Sequence, residues 1–146
     1  MPKPKQVFIS HSNQDRDFVE REVIGLLQSH GIETWYSGDD TQTASQWQRT
    51  ILAGLESCDW FLVVLSPRSI VSKWVTAEVD WALENREEAF APVLMEECDW
   101  KSFYLLLRNY QHADFSSDLK DGKKRLLKTW RIEAKSDGET NPPAYY

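Results

Sequence analysis

The chain has 146 residues, 41% of them apolar and 27% charged, which fits one globular domain with a substantial core and excludes a disordered chain. Its net charge of −6 and pI near 5.1 argue against a nucleic-acid-binding face, which needs basic charge. No apolar run is long enough to cross a bilayer and Met1 to Lys5 is no signal peptide, so a cytoplasmic protein without a membrane partner is the expectation.

In chain order, Gln6–Ser10 reads as a short buried strand. Ser12 then starts a helix, with Asp15 in the capping-box position and Phe18, Val19, Val23, Leu26 and Leu27 on one face. Gly31 is a good stop for that helix, and Ile32 to Tyr36, β-branched and aromatic, follows as a second strand. Ser37 to Ala44 is polar and turn-like. Ser45 and Gln48 form a second potential capping box ahead of the stripe Trp47, Ile51, Leu52 and Leu55. Trp60 to Leu65 is the most apolar run and lacks alternation, as expected of a central parallel strand covered on both faces.

Ser72 is a natural cap for a helix running roughly to Glu87. Ala89 to Met95 is a fourth strand, in which Pro92 predicts a late start or imperfect pairing. Residues 100–109 suggest a short helix, Tyr110 to Phe115 a weak fifth strand, and Leu119 to about Glu133 a last helix with Leu126, Leu127 and Trp130 as its apolar face. Its basic cluster, Lys120, Lys123, Lys124, Arg125 and Lys128, reads as a solvated face. Residues 134–146 read as a tail or linker behind a domain spanning 1–133. Strands and helices alternate throughout, which predicts an α/β fold: a parallel sheet with helices on both faces. Ligands of such sheets bind beyond the carboxyl ends of the strands, so the loops Ser10–Asn13, Ser37–Ala44 and Ser66–Lys73 become the places to watch.

One helix could carry chemistry. Trp74, Glu78 and Trp81 share a face beside the stripe Val75, Val79, Ala82 and Leu83, so Glu78 should sit at the core margin, partly desolvated, with an indole on either side. Such a carboxylate could accept hydrogen bonds from sugar hydroxyls or stabilise positive charge on a ribose as a glycosidic bond breaks, while aromatic rings stack on a base or on nicotinamide. The competing reading is an ordinary surface Glu on an amphipathic helix. Seven tryptophans raise the odds of a stacking surface. Other chemistries find less. Ser66 stands where a receiver domain needs its acceptor Asp, no Gly-rich phosphate loop follows the first strand, and Ser10, Ser12, Ser66 and His11 announce no hydrolase triad. Cys58 and Cys98 have no metal-site spacing and read as free thiols in a reducing compartment.

Several segments together resemble the Toll/interleukin-receptor (TIR) domain family. Val7 to Ser12 resembles its first-strand motif, Gly31 to Tyr36 its second strand, Asp59 to Pro67 its third, Ser72 to Glu78 its Ser-x-Trp-x-x-x-Glu box, and Asp114 to Ser116 the close of its fifth strand. Ser37 to Trp47 occupies the place of the BB loop, where Ala44 replaces a glycine common in that family. The resemblance implies a flavodoxin-like three-layer sandwich with a five-stranded parallel sheet of order 2-1-3-4-5. It also implies one of two functions. Many members cleave NAD+ at the nicotinamide–ribose bond, giving nicotinamide and ADP-ribose or a cyclic variant, often in anti-phage defence or immune signalling. Others are non-catalytic adaptors acting by TIR–TIR association. The box places the catalytic role on Glu78 and a substrate contact on Trp74, with further contacts carried over to Ser10, His11, Tyr36, Asp39, Asp40, Trp47 and Ser66. NAD+ would be substrate, with no cofactor or metal, and the partner a second copy of the chain. A nucleoside deoxyribosyltransferase of similar layout is a third possibility.

Overall fold

The computed structural model describes residues 3–36 and 44–132, with the side chains of residues 44–47 outside that description. Strand β1 (Gln6–Ser10) leads through a 3-10 turn (Asn13–Asp15) into helix α1. Three stretches, Arg16–Phe18, Val19–Ile24 and Gly25–Ser29, make up α1, the middle one wound as a π-helix. Then come β2 (Glu33–Trp35), α2 (Ala44–Ser57), β3 (Trp60–Leu65), a 3-10 turn (Ser69–Val71), α3 (Lys73–Asn85) and β4 (Phe90–Leu94). A short α4 (Trp100–Phe103), a 3-10 stretch (Leu105–Asn109), β5 (Ala113–Asp114) and α5 (Leu119–Thr129) complete the order. The five strands are parallel and ordered β2-β1-β3-β4-β5, the expected flavodoxin-like layout.

Alternation along the strands sorts the core into two layers. Val7 and Ile9 of β1 and Trp60, Leu62 and Val64 of β3 face α1 and α5, meeting Val19, Val23, Leu27, Leu126 and Trp130. Phe8 of β1 and Phe61, Val63 and Leu65 of β3 face α2 and α3, meeting Ile51, Leu55, Val75, Val79 and Ala82. Both faces of the central strand are therefore apolar, which is why it shows no alternation in sequence. On the α2/α3 face, rings stack across the sheet from Trp35 to Phe8 to Phe61 to Phe90, at centroid spacings of 4.9, 5.6 and 5.2 Å. Helix α2 lies so close to this row that a Cβ on Gly54 would come within 2.5 Å of the Trp35 ring.

Several expectations change in detail. Ser12 caps the first turn by accepting from the Gln14 N–H at 3.2 Å, but Asp15 does not close a capping box; its carboxylate turns inward and is buried. Ala44 is the first residue of α2, so Ser45 lies inside the helix rather than at its cap position. Pro92 does not disturb the β3–β4 ladder, pairing in register with Val63. Ala89 O and Met95 N bond toward β3 while Leu94 O bonds toward β5, so alternation turns the position of Pro92's missing donor to the β5 side. The fifth strand shrinks to Ala113–Asp114, and α5 ends at Thr129. There Arg131, at φ 58°, closes α5 as Gly31, at φ 75°, closes α1: in each case the next residue's N–H reaches back to a leucine carbonyl at 3.0 Å. The expected tail, 134–146, lies outside the described residues.

The tryptophans are mostly structural. Trp60 and Trp130 meet edge to face at 5.5 Å in the core, Trp35 joins the ring row, Trp81 lies 5.0 Å beneath the Arg86 guanidinium, and Trp100 packs on His112. The basic face of α5 is partly engaged: Lys123 pairs with Glu22 of α1 at 2.7 Å, and Arg125 with Asp121 at 2.8 Å. Both cysteines are free thiols, Cys58 buried and Cys98 half-buried. Among the described residues, no helix is long and apolar enough to cross a membrane and no cluster could hold a metal ion.

Candidate active site

Ser10 is the last residue of β1 and continues the side of the strand that Phe8 presents to α3. Helix α3 starts where the central strand has ended and its connection has turned back over that same face. Ser72 caps it, accepting from the Val75 N–H at 3.3 Å, and the Thr76 hydroxyl donates back to the Ser72 carbonyl at 2.9 Å. Val75, Val79 and Ala82 form its fully buried stripe. Glu78 stands between them on the helix and is carried into the interior with them, only 7% exposed.

The two side chains meet: the Ser10 hydroxyl donates to Glu78 Oε1 at 2.6 Å. Burial pushes the Glu78 carboxyl up to about 7, and the Ser10 hydrogen bond offsets part of that rise. Among the described residues no cation pairs with it. Near neutrality, then, Glu78 exchanges a proton at the carboxyl end of the sheet, where ligands of this fold bind.

His11 and Tyr36 come together on the other side of the strand ends, with ring centroids 6.0 Å apart. Tyr36 packs against the α1-side core layer and its hydroxyl donates to Glu20 at 2.9 Å. His11 Nδ1 lies 3.3 Å from the Ile9 carbonyl, and its Nε2 is buried without a partner among the described residues. Burial holds the His11 pKa below the ordinary histidine value, with the Ile9 carbonyl opposing, so the ring is neutral at pH 7.

Trp74 sits one turn before Glu78 on α3, half-buried. Trp81 is occupied by Arg86. Asp39 and Asp40 lie outside the described residues, as does the side chain of Trp47. Ser66 is fully buried, and its hydroxyl donates to Asp15 Oδ2 at 2.5 Å while accepting from the Ser69 N–H at 3.1 Å. Arg68 Nε donates to Asp15 Oδ1 at 2.5 Å, and Arg68 Nη2 donates to Glu96 Oε1 at 2.6 Å. Asp15 and Arg68 are absent from the sequence-based site. Nothing local signals them, since the partners lie more than 50 residues apart.

The site's surroundings match known proteins in a consistent way. The profile of the TIR domain family matches residues 7–127. A probable 2′ cyclic ADP-D-ribose synthase, TcpO of Methanobrevibacter olleyae, is 30% identical over 78 residues, 53% of this chain and 23% of that protein. The NAD(+) hydrolase TcpA of Theionarchaea archaeon (strain DG-70-1) is 31% identical over 88 residues, 60% of this chain and 27% of that protein. The chain thus spans about a quarter of the length of these curated relatives. Among solved structures, the TIR domain of the Toll-related receptor TRR-2 from Hydra magnipapillata superposes with a TM-score of 0.68 at 20% identity, covering 84% of this chain and 91% of that one, and shares its fold. With the match running from β1 into α5, this chain belongs to the TIR domain family.

Proposed function

We propose that this domain cleaves NAD+ at the nicotinamide–ribose bond, with Glu78 as the catalytic carboxylate. The observation that carries the reading is the buried Glu78 carboxyl, bonded to Ser10 at the ligand edge of the sheet and without a cation beside it among the described residues. The names of its hydrolase and cyclase relatives support the same chemistry. In the reaction, the bond from the ribose anomeric carbon to the pyridinium nitrogen breaks. Its electron pair passes to the ring nitrogen, and nicotinamide leaves uncharged. Positive charge develops on the ribose, where an ionised carboxylate in a site of low polarity stabilises it and accepts from the ribose hydroxyls. Water then adds to the anomeric carbon and loses a proton, giving ADP-ribose. Alternatively a hydroxyl of the same molecule adds in the same way, giving a cyclic product. Ser10 fixes the carboxyl's orientation, His11 and Tyr36 flank the strand ends where the nucleotide would lie, and Trp74 stands one turn before Glu78 on α3.

Within this reading the domain is cytoplasmic, works as a homo-oligomer through TIR–TIR contacts and serves anti-phage defence or immune signalling. NAD+ is its substrate and it needs no cofactor. The test is NAD+ consumption by concentrated purified protein, free and fused to an oligomer-forming domain, beside Glu78→Ala. Turnover by the wild type and none by the variant is expected. Equal turnover by both would remove Glu78 from the chemistry, and silence of the wild type in both formats would favour an adaptor.

A further inference from the structure

Two serine–carboxylate bonds join the same two segments in opposite directions. Ser10, at the end of β1, donates to Glu78 of α3. Ser66, at the end of β3, donates to Asp15, just after β1. The backbone connects Ser10 to Asp15 within one tight turn, capped by Ser12. On the other side, Ser66 and Ser69 exchange hydrogen bonds of 2.9 and 3.1 Å, and the Ser72 N–H reaches the Ser69 carbonyl at 3.1 Å. Ser72 caps α3, and Glu78 lies in that helix's second turn. The links close into a ring: Ser10, Asp15, Ser66, Ser69, Ser72, Glu78 and back to Ser10.

Arg68 is the ring's outside brace. It donates to Asp15 from Nε and to Glu96, beyond β4, from Nη2, so one guanidinium spans the loops after β1, β3 and β4. Its side chain is 33% exposed, against 1% for Asp15. Asp15 is a buried charge whose described cation is Arg68, so loss of Arg68 leaves that charge uncompensated and strains the turn that carries it.

We propose that Arg68 and Asp15 form a clamp that positions Glu78 through this ring, holding the Ser10–Glu78 pair in register from a distance. Arg68 is a positioning residue and touches none of the reacting atoms. Its effect on turnover rests on the NAD-cleaving reading; the mechanical coupling does not. Separate, non-contacting sites have additive effects on stability, whereas links of one network do not.

The experiment is a double-mutant cycle of wild type, Arg68→Gln, Ser10→Ala and the double variant, followed by urea unfolding and, separately, by NAD+ turnover. Unfolding is expected to be non-additive, with Ser10→Ala shifting the midpoint clearly in the wild type and little in the Arg68→Gln background. In turnover, Arg68→Gln is expected to lower kcat about tenfold with KM nearly unchanged, as lost orientation requires. Ser10→Ala then costs about tenfold alone but less than about twofold on top of Arg68→Gln. Arg68→Lys, which keeps a cation beside Asp15, restores part of the coupling. Additive unfolding midpoints among folded variants would overturn the clamp. Coupled unfolding without NAD+ turnover by any protein, free or fused to an oligomer-forming domain, would uphold the clamp and overturn the NAD-cleaving reading instead.

Discussion

Two carboxylates are buried at the carboxyl end of this sheet, and the domain treats them in opposite ways. Asp15 is 3% exposed and Glu78 7%. Asp15 has a hydroxyl on one oxygen and a guanidinium on the other, each at 2.5 Å. Glu78 has, among the described residues, one hydroxyl, from Ser10, and burial drives its pKa to about 7. A buried carboxylate matched with a cation is what a fold builds for itself, since leaving it unmatched costs several kcal/mol. One held without a cation, poised to gain or lose a proton near neutrality, serves stability poorly and suits chemistry. The same end of the sheet therefore holds one buried carboxylate matched with a cation and another, on α3, bonded among the described residues to a hydroxyl, distinguished by what was placed beside each.

The largest break in this contrast should come from Asp15→Ala. It leaves the buried Ser66 hydroxyl without its acceptor and removes two hydrogen bonds to a charged group, each worth about 1.5–3 kcal/mol, so a cost of about 3 kcal/mol is expected. Urea unfolding at pH 7 measures it, and a cost below about 1 kcal/mol would mean that the pairing is no sounder than an ordinary surface one.

The contrast sharpens with Glu78→Gln, for which the opposite sign is expected. The Glu78 carboxyl moves from an ordinary 4.5 in the unfolded chain to about 7 in the fold. Between those values the folded state holds a proton that the unfolded state has released, so stability falls as pH rises from about 4.5 to about 7 and stays low above it. Glutamine does not titrate and avoids that loss. The variant should match the wild type's pH dependence below about 4.5 and gain on it progressively above, by up to about 3 kcal/mol beyond pH 7, while losing turnover. Thermal melts of both proteins across pH 4 to 8 (roughly the window that the shift defines) decide it. Parallel curves would show that Glu78 is not held protonated by burial.

How far this contrast was legible beforehand differs between the two residues. Glu78 could be found from sequence because its signal is local. Helical spacing places it beside Val75, Val79 and Ala82, and a capping serine fixes where that helix begins. The apolar run Trp60–Leu65 likewise announced a central strand through its own composition. Asp15 could not be found, because its spacing from Ser12 imitates a capping box while its partners, Ser66 and Arg68, lie across the sheet on another connection. For Ser66 the place at a strand end was readable, and the carboxylate that its hydroxyl meets was not. Pro92 and β5 show the same limit, since a strand's hydrogen-bonding side and length depend on its neighbour.

The smallest expected effect tests the exposed end of the same network. Glu96 accepts from Arg68 at 2.6 Å, almost the distance at which Asp15 does, yet its side chain is 53% exposed. Distance alone would rank the two bonds as equals. Solvent does not, because water screens the Arg68–Glu96 attraction and hydrates either partner once released, so Glu96→Gln should cost no more than about 1 kcal/mol. Added salt of about 0.5 M should shrink even that, while leaving the Asp15→Ala cost nearly intact, since buried pairs are screened much less. Equal costs for the two substitutions would mean that Arg68 is anchored from the outer loop. The clamp would then be driven from the β4 connection, with Asp15 following rather than holding.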